Sequence, residues 1–251
     1  MHRTNTTNVT IFNLPFPDAA TFTFTSSSPL SPNAIRIAIP PSSGWRMRLH
    51  WHPSKNRAAA CERVSCLSGF LHVYVAQGLS GSYDKLGSTG MSVKFAPRQR
   101  VAWNRLKKDA QVPLTVDLVA DHALWRNICS AILDRDIFPQ LRSTPLWLKA
   151  LFAILAVVPS WRNGLLSLML WIQLQTIFQA HDFHMYHGYI PVTWPWMCQP
   201  FGGRPPVWAK RLQLQSLYFI ARAVMTTAYW AGTLFLGMKG EYVEYTPSRD
   251  Q

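Results

Sequence analysis

A chain of 251 residues is long enough for one domain with its own core and a further segment. Its formal charge of +13 favours anionic partners, among them an acidic membrane leaflet or an acidic small molecule. No dense basic helix or nucleic-acid module accompanies that charge, so nucleic acid is not an expected partner, and four scattered cysteines (Cys61, Cys66, Cys129 and Cys198) argue against a disulfide framework or a zinc finger.

Residues 1–32 are rich in Thr, Ser, Asn and Pro, the start Met1-His2-Arg3-Thr4-Asn5 lacks the apolar core of a secretory signal, and residues 1–20 are expected as a flexible tail. Thr21-Phe22-Thr23-Phe24-Thr25 alternates as a strand does, and so do Ile35, Ile37 and Ile39 before Pro40-Pro41 stops the run. From Gly44 the alternation is strict. Trp45, Met47, Leu49 and Trp51 fall on one face, and Arg46, Arg48, His50 and His52 fall on the other. Two histidines spaced this way lie roughly 6–7 Å apart along one face, close enough to converge on one ion. Cys61–Cys66, Gly69–Ala76, Met91–Ala96 and Leu114–Val119 continue the series, with Gly78, Gly81, Gly87 and Gly90 as turns. About seven short strands of this kind predict an antiparallel barrel or sandwich over 21–120.

Gly44, five residues, His50-Trp51-His52, nine residues, Glu62, six residues, Gly69: this spacing resembles the first motif of the cupin superfamily, with a longer gap before the glutamate than is usual there. The second cupin motif is degenerate. Gly90 through Pro97 to Trp103-Asn104 has its outline, but Ala102 or Trp103 stands where its histidine belongs. The resemblance implies a cupin-like barrel and makes His50, His52 and Glu62 candidate ligands of one divalent metal (iron, manganese, nickel or zinc). It also implies chemistry of the kinds found in that superfamily, namely isomerisation, cyclisation, dehydration or oxidation, as in specialised-metabolite biosynthesis. Arg46 and Arg48 beside the histidines repel a cation and suit an anionic or carbonyl-rich ligand. The preferred site is therefore metal-free, with His50 or His52 as general acid or base and Arg46 or Arg48 stabilising negative charge. Trp51 and Trp103 supply apolar walls or packing.

Beyond Ala120 the pattern turns helical. Asp121 is placed to cap a helix running to about Leu133, within a connector over 121–143. Residues 144–251 are expected as a hydrophobic helical membrane region, which makes the fold class α+β overall. Three lipophilic blocks occur there: Leu146–Trp161, Gly164–Ala180 and Leu217–Met238. A spanning helix needs about 20 apolar residues, and only the third block reaches that length. The first two predict a re-entrant or in-plane hairpin turning at Trp161-Arg162-Asn163, with buried helices of a soluble domain as the other reading. Basic residues place the amino-terminal domain and the Arg204…Lys210-Arg211 loop in the cytosol, and the tail Lys239–Gln251 across the membrane. His181, His184 and His187 would line one side of a helix continued past Ala180, as ligands or proton carriers, or else form a polar interfacial turn.

Two functions of different class follow. One is a membrane-attached enzyme acting on a lipophilic small molecule, neutral or anionic. The other is a non-catalytic membrane protein whose basic barrel face binds anionic lipid or a protein partner.

Overall fold

The computed structural model describes residues 3–6, 8–15, 18–24, 34–51, 62–76, 82–95, 99–106, 111–141, 144–156, 158–181, 184–185, 207–242 and 245. One antiparallel sheet takes β1 (Ile11–Leu14), β2 (Ala20–Phe24), β3 (Ala34–Ile39), β10 (Leu114–Val119), β5 (Arg63–Ser68) and β8 (Ser92–Lys94), in that spatial order. The second takes β11 (His184–Met185), β4 (Arg46–Trp51), β9 (Arg100–Arg105), β6 (Leu71–Ala76) and β7 (Ser82–Gly87). From β3 to β10 the chain changes sheet at every connection except the β6–β7 hairpin. The resulting orders β3-β10-β5-β8 and β4-β9-β6-β7 are the paired Greek keys of a jelly roll, an architecture that cupins share.

Alternation fills the space between the sheets. Phe22, Ile37, Val116 and Cys66 stand in register across the first sheet, as do Phe24, Ile35, Leu118, Val64 and Val93, and all of them are buried. The intervening file faces outward and is polar. There Arg36 donates to both Asp117 carboxylate oxygens at 2.9 and 3.2 Å, and Ser65 meets Ser92 at 2.9 Å. Gly69, at the β5–β6 turn, has φ +84°, and a Cβ there would stand 2.8 Å from the Pro113 carbonyl oxygen. Gly69→Ala is therefore expected to cost about 1–3 kcal/mol in urea unfolding. A variant as stable as the parent would show that the turn can reshape.

Two expectations about domain limits change. The first twenty residues are not simply a tail, because Ile11–Leu14 pairs with β2 and buries Phe12 and Leu14. Nor is 121–143 a detached connector. Helix α1 (His122–Leu133) is capped as expected, with Asp121 Oδ1 accepting from the amides of Ala123 at 2.9 Å and Leu124 at 3.3 Å. Its Leu124, Trp125 and Cys129 belong to the β core. Trp125 stacks on Phe22 at 5.6 Å and His122 meets Phe24 edge-on at 5.5 Å, so α1 packs against β1 and β2, the strands that widen the first sheet beyond the jelly roll.

The lipophilic blocks form α2 (Leu146–Leu155), α3 (Pro159–Ala180) and α4 (Val207–Trp230), followed by a π-helical turn at Ala231–Phe235. The turn between the first two lies before Trp161, since α3 already begins at Pro159, where proline's missing N–H costs nothing. Helix α3 buries Gln173, Gln175 and Thr176 beside Ile177 and Phe178, and it packs between α1 and α4. Among the described residues no helix is long and apolar enough to cross a membrane. The third block, which had the length, is divided between α4 and the π turn and is closed by Gly237 at φ +63°. The tail also departs from expectation. Tyr242 and Tyr245 are buried, Tyr245 donates to Asp134 of the α1 C-cap, and Arg3 donates to both tyrosine hydroxyls. Arg3, Tyr242 and Tyr245 thus meet at the C-terminal end of α1.

Candidate active site

The predicted histidine strand exists as β4, but its strict alternation is interrupted. Met47 pairs with Trp103 and His50 with Val101, so Arg48 and Leu49 together oppose Ala102 alone. This is a β-bulge, in which one extra residue shifts every later position to the other file. Arg46 stands in the file of Asn104 and His72, which lies outside the core. His50 stands in the file of Val101 and Trp103, whose side chains are buried between the sheets. Arg46 and His50 are therefore separated, contrary to the alternating pattern. His52 lies outside the described residues.

The two histidine segments come together. The helix expected to carry His181, His184 and His187 ends at Ala180, and His184–Met185 instead forms β11, pairing His184 with Trp51 and Met185 with His50. His187 lies outside the described residues. Strand β4 is thus held between β9 and a segment more than a hundred residues further along the chain.

Trp103 dominates the interior beside this strand. It is 1% exposed, and its ring lies 5.1 Å from Trp45, which lies 5.7 Å from Phe22, so an aromatic row runs from β9 to Trp125 of α1. Its Nε1–H is buried and has no hydrogen-bond partner among the described residues. A buried donor left unmade costs about 1–3 kcal/mol, so it calls for a ligand or an ordered water.

In the cupin motifs Ala102 or Trp103 stands where the second motif's histidine belongs, and Glu62 of the expected metal set is exposed at the head of β5 in the opposite sheet. The Glu62 backbone is committed to Val119 O at 2.7 Å and the Phe95 amide at 2.9 Å. Among the described residues no group of three His, Cys, Asp or Glu side chains is arranged to hold a metal ion. Cys66 and Cys129 are buried, and burial pushes both thiols up, away from nucleophilic use.

One polar cluster had no signal in the sequence, because its members are brought together only by packing. His181, the buried C-cap of α3, has Nδ1 3.1 Å from Asp121 Oδ2 and Nε2 3.8 Å from the exposed Glu241. Burial pushes the Asp121 carboxyl up, but the His181 hydrogen bond and charge, with the Leu124 and Ala123 amides, together hold it below the usual carboxylate range. A carboxylate depressed in this way contributes stability that is fully present above its unfolded pKa of ~3.9 and lost as pH falls through the lower folded value. Asp121→Asn can still cap the helix. It is expected to lower the urea midpoint at neutral pH, with the gap to the parent narrowing below about pH 4. A gap that stays constant into acid would remove the ionic role.

No family model matches the chain, and no curated protein matches it. Among solved structures, Drosophila melanogaster CENP-C bound to CAL1 is similar at 12% identity and a TM-score of 0.30, over 44% of this chain and 75% of that one. Lactobacillus farciminis oxalate decarboxylase is similar at 16% identity and a TM-score of 0.31, over 43% of this chain and 30% of that one. An oxalate oxidase is similar at 18% identity and a TM-score of 0.29, over 41% of this chain and 52% of that one. The chain therefore spans about half or less of the length of the two oxalate proteins. Likenesses at these scores carry no argument about activity, and the jelly-roll assignment stands on strand order.

Proposed function

We propose that the jelly roll binds a lipophilic small molecule bearing a carbonyl oxygen and moves a proton on it, in an isomerisation, cyclisation or dehydration. The observation that carries this reading is the bulge in β4. It sets His50 in the interior file, one position along from a buried indole N–H that has no partner among the described residues. Bulges recur beside active sites because they re-aim one side chain without breaking the sheet. The aromatic row from Trp103 to Trp125 suits an apolar ligand. In this reading the Trp103 Nε1–H donates to the ligand oxygen. His50 takes the proton from the neighbouring carbon and returns it elsewhere on the molecule. The donated bond strengthens as negative charge develops on that oxygen, so it favours the transition state over the ground state. Arg46, in the outer file, takes no part, and the stabilising role passes from arginine to Trp103. Attachment to the cytosolic face of a membrane would keep the protein beside a substrate that partitions into lipid.

The test is hydrogen exchange. The full chain is incubated in deuterated water with a panel of apolar ketones and enones, and label is read at carbon by NMR. His50→Gln is expected to slow incorporation about 10²–10⁴-fold. Exchange no faster than the protein-free control across the panel, or an undiminished rate in His50→Gln, would overturn the enzyme reading. The first of these results would favour the docking protein that does no chemistry.

A further inference from the structure

Helix α2 is apolar on both of its faces. Leu148 and Phe152 are buried in a small core with Leu166 and Met169 of α3 and with Leu236 and Met238 beyond the π turn. The opposite face carries Leu146, Trp147, Ala150, Ala153 and Ile154, and all five are exposed. Leu146 is 83% exposed and Ile154 69%. These positions repeat at one and two turns, so they form a single stripe. Val158 and Trp161, on either side of the start of α3, are exposed as well. Flanking the same small core, the π turn exposes Leu234 and Phe235. Monomeric soluble proteins rarely leave a contiguous apolar surface of this kind uncovered.

Charge decides what covers it. Among the described residues of α2, the α2–α3 turn and α3, the charged side chains other than histidine are Lys149 and Arg162, both basic. A second copy would set these cations against themselves. An anionic bilayer meets both needs, with acyl chains for the stripe and acidic headgroups for the cations around it. Trp147 and Trp161, both exposed at the stripe, are residues that favour the headgroup level. The contacts of Arg3 with Tyr242 and Tyr245 hold residues before the strands and after the helices on one body, as a non-spanning anchor requires.

We propose that the exposed faces of α2, the α2–α3 turn and the π turn form an in-plane anchor that enters the headgroup boundary of an anionic leaflet without spanning it. The inference rests on the membrane half of the proposed function and is independent of its chemistry.

The full chain is sedimented with phosphatidylcholine vesicles, with and without about 30 mol% phosphatidylserine, at about 0.1 M and about 1 M salt. Binding is expected to need the anionic lipid and to weaken severalfold in high salt. Trp147→Ser with Ile154→Ser is expected to raise the lipid concentration for half-binding about 100-fold. Leu86→Ser, which removes an exposed apolar residue on β7, is expected to leave binding unchanged. All of these positions are on the surface, and thermal unfolding confirms that each variant folds. A double variant that binds like the parent would overturn the face while leaving membrane attachment standing. A parent that binds neither vesicle would overturn both, with the deuterium experiment still deciding the chemistry. A parent dimer that the double variant splits, with no vesicle binding, would make a second copy the occupant and overturn the lipid assignment.

Discussion

Replacing Trp103 by alanine is expected to lower the unfolding free energy by about 3–5 kcal/mol, whereas phenylalanine at the same position stays within about 1 kcal/mol of the parent. The alanine variant loses a fully buried indole that touches Trp45 and fills the space between the sheets, and the neighbouring strands can close only part of the void. Phenylalanine leaves a smaller void, and it also removes a buried N–H that has no partner among the described residues. Those two effects oppose each other. The same substitution is expected to slow proton exchange on a bound ketone about 10²–10³-fold, because one oxyanion donor is lost. Urea unfolding and exchange rates measured on the two variants separate the roles. If phenylalanine proves as costly as alanine, the N–H is satisfied in the free protein, by an ordered water for example, and its role toward a ligand fails.

Arg126→Ala is expected to cost about 2–4 kcal/mol, an effect the exposed arginines should not approach. Arg126 is buried in α1, donates to the Val9 carbonyl at 2.8 Å and the Thr6 carbonyl at 3.3 Å, and lies with its guanidinium 4.7 Å over Phe24. Burial pushes this guanidinium below its usual range, yet at neutral pH it remains a cation. Truncation strands the Val9 carbonyl, leaves the Thr6 carbonyl with only the Val9 amide as donor, and loosens the segment that carries β1. Arg126→Lys keeps the charge but loses the planar group over Phe24, and it should recover part of the loss. Thermal unfolding, together with the rate of proteolysis before Ile11, checks both variants. A cost under about 0.5 kcal/mol would mean that the amino-terminal segment is held by β1 pairing alone.

Most strands with one buried face were legible, though not β1, where the alternation lasts only from Ile11 to Leu14. Phe22 and Phe24, Ile35 to Ile39, and Leu71 to Val75 alternate in sequence and lie buried in the structure as read. The Asp121 cap was legible for a similar reason, since the chemistry of a helix start is local. Which faces of the lipophilic blocks meet protein was not legible, because lipophilic runs look alike whether they meet lipid or protein. Gln173, Gln175 and Thr176 turned out to be buried against neighbouring helices.

Sequence alone determined the jelly roll's apolar files, the capped helix after β10 and the basic, tryptophan-rich character of the C-terminal half, all of which depend on periodicity and composition. Tertiary structure decided the site. In β4 the alternation from Arg46 to His52 is unbroken, and nothing local announces an extra residue. The bulge exists only in the pairing with β9, where Arg48 and Leu49 share one partner. The pairing of β11 with β4, and the meeting of His181 with Asp121, join residues far apart in the chain. Such contacts follow from the packing of whole elements against one another, and a one-residue shift of register between two strands is enough to move His50 from the arginine file to the interior.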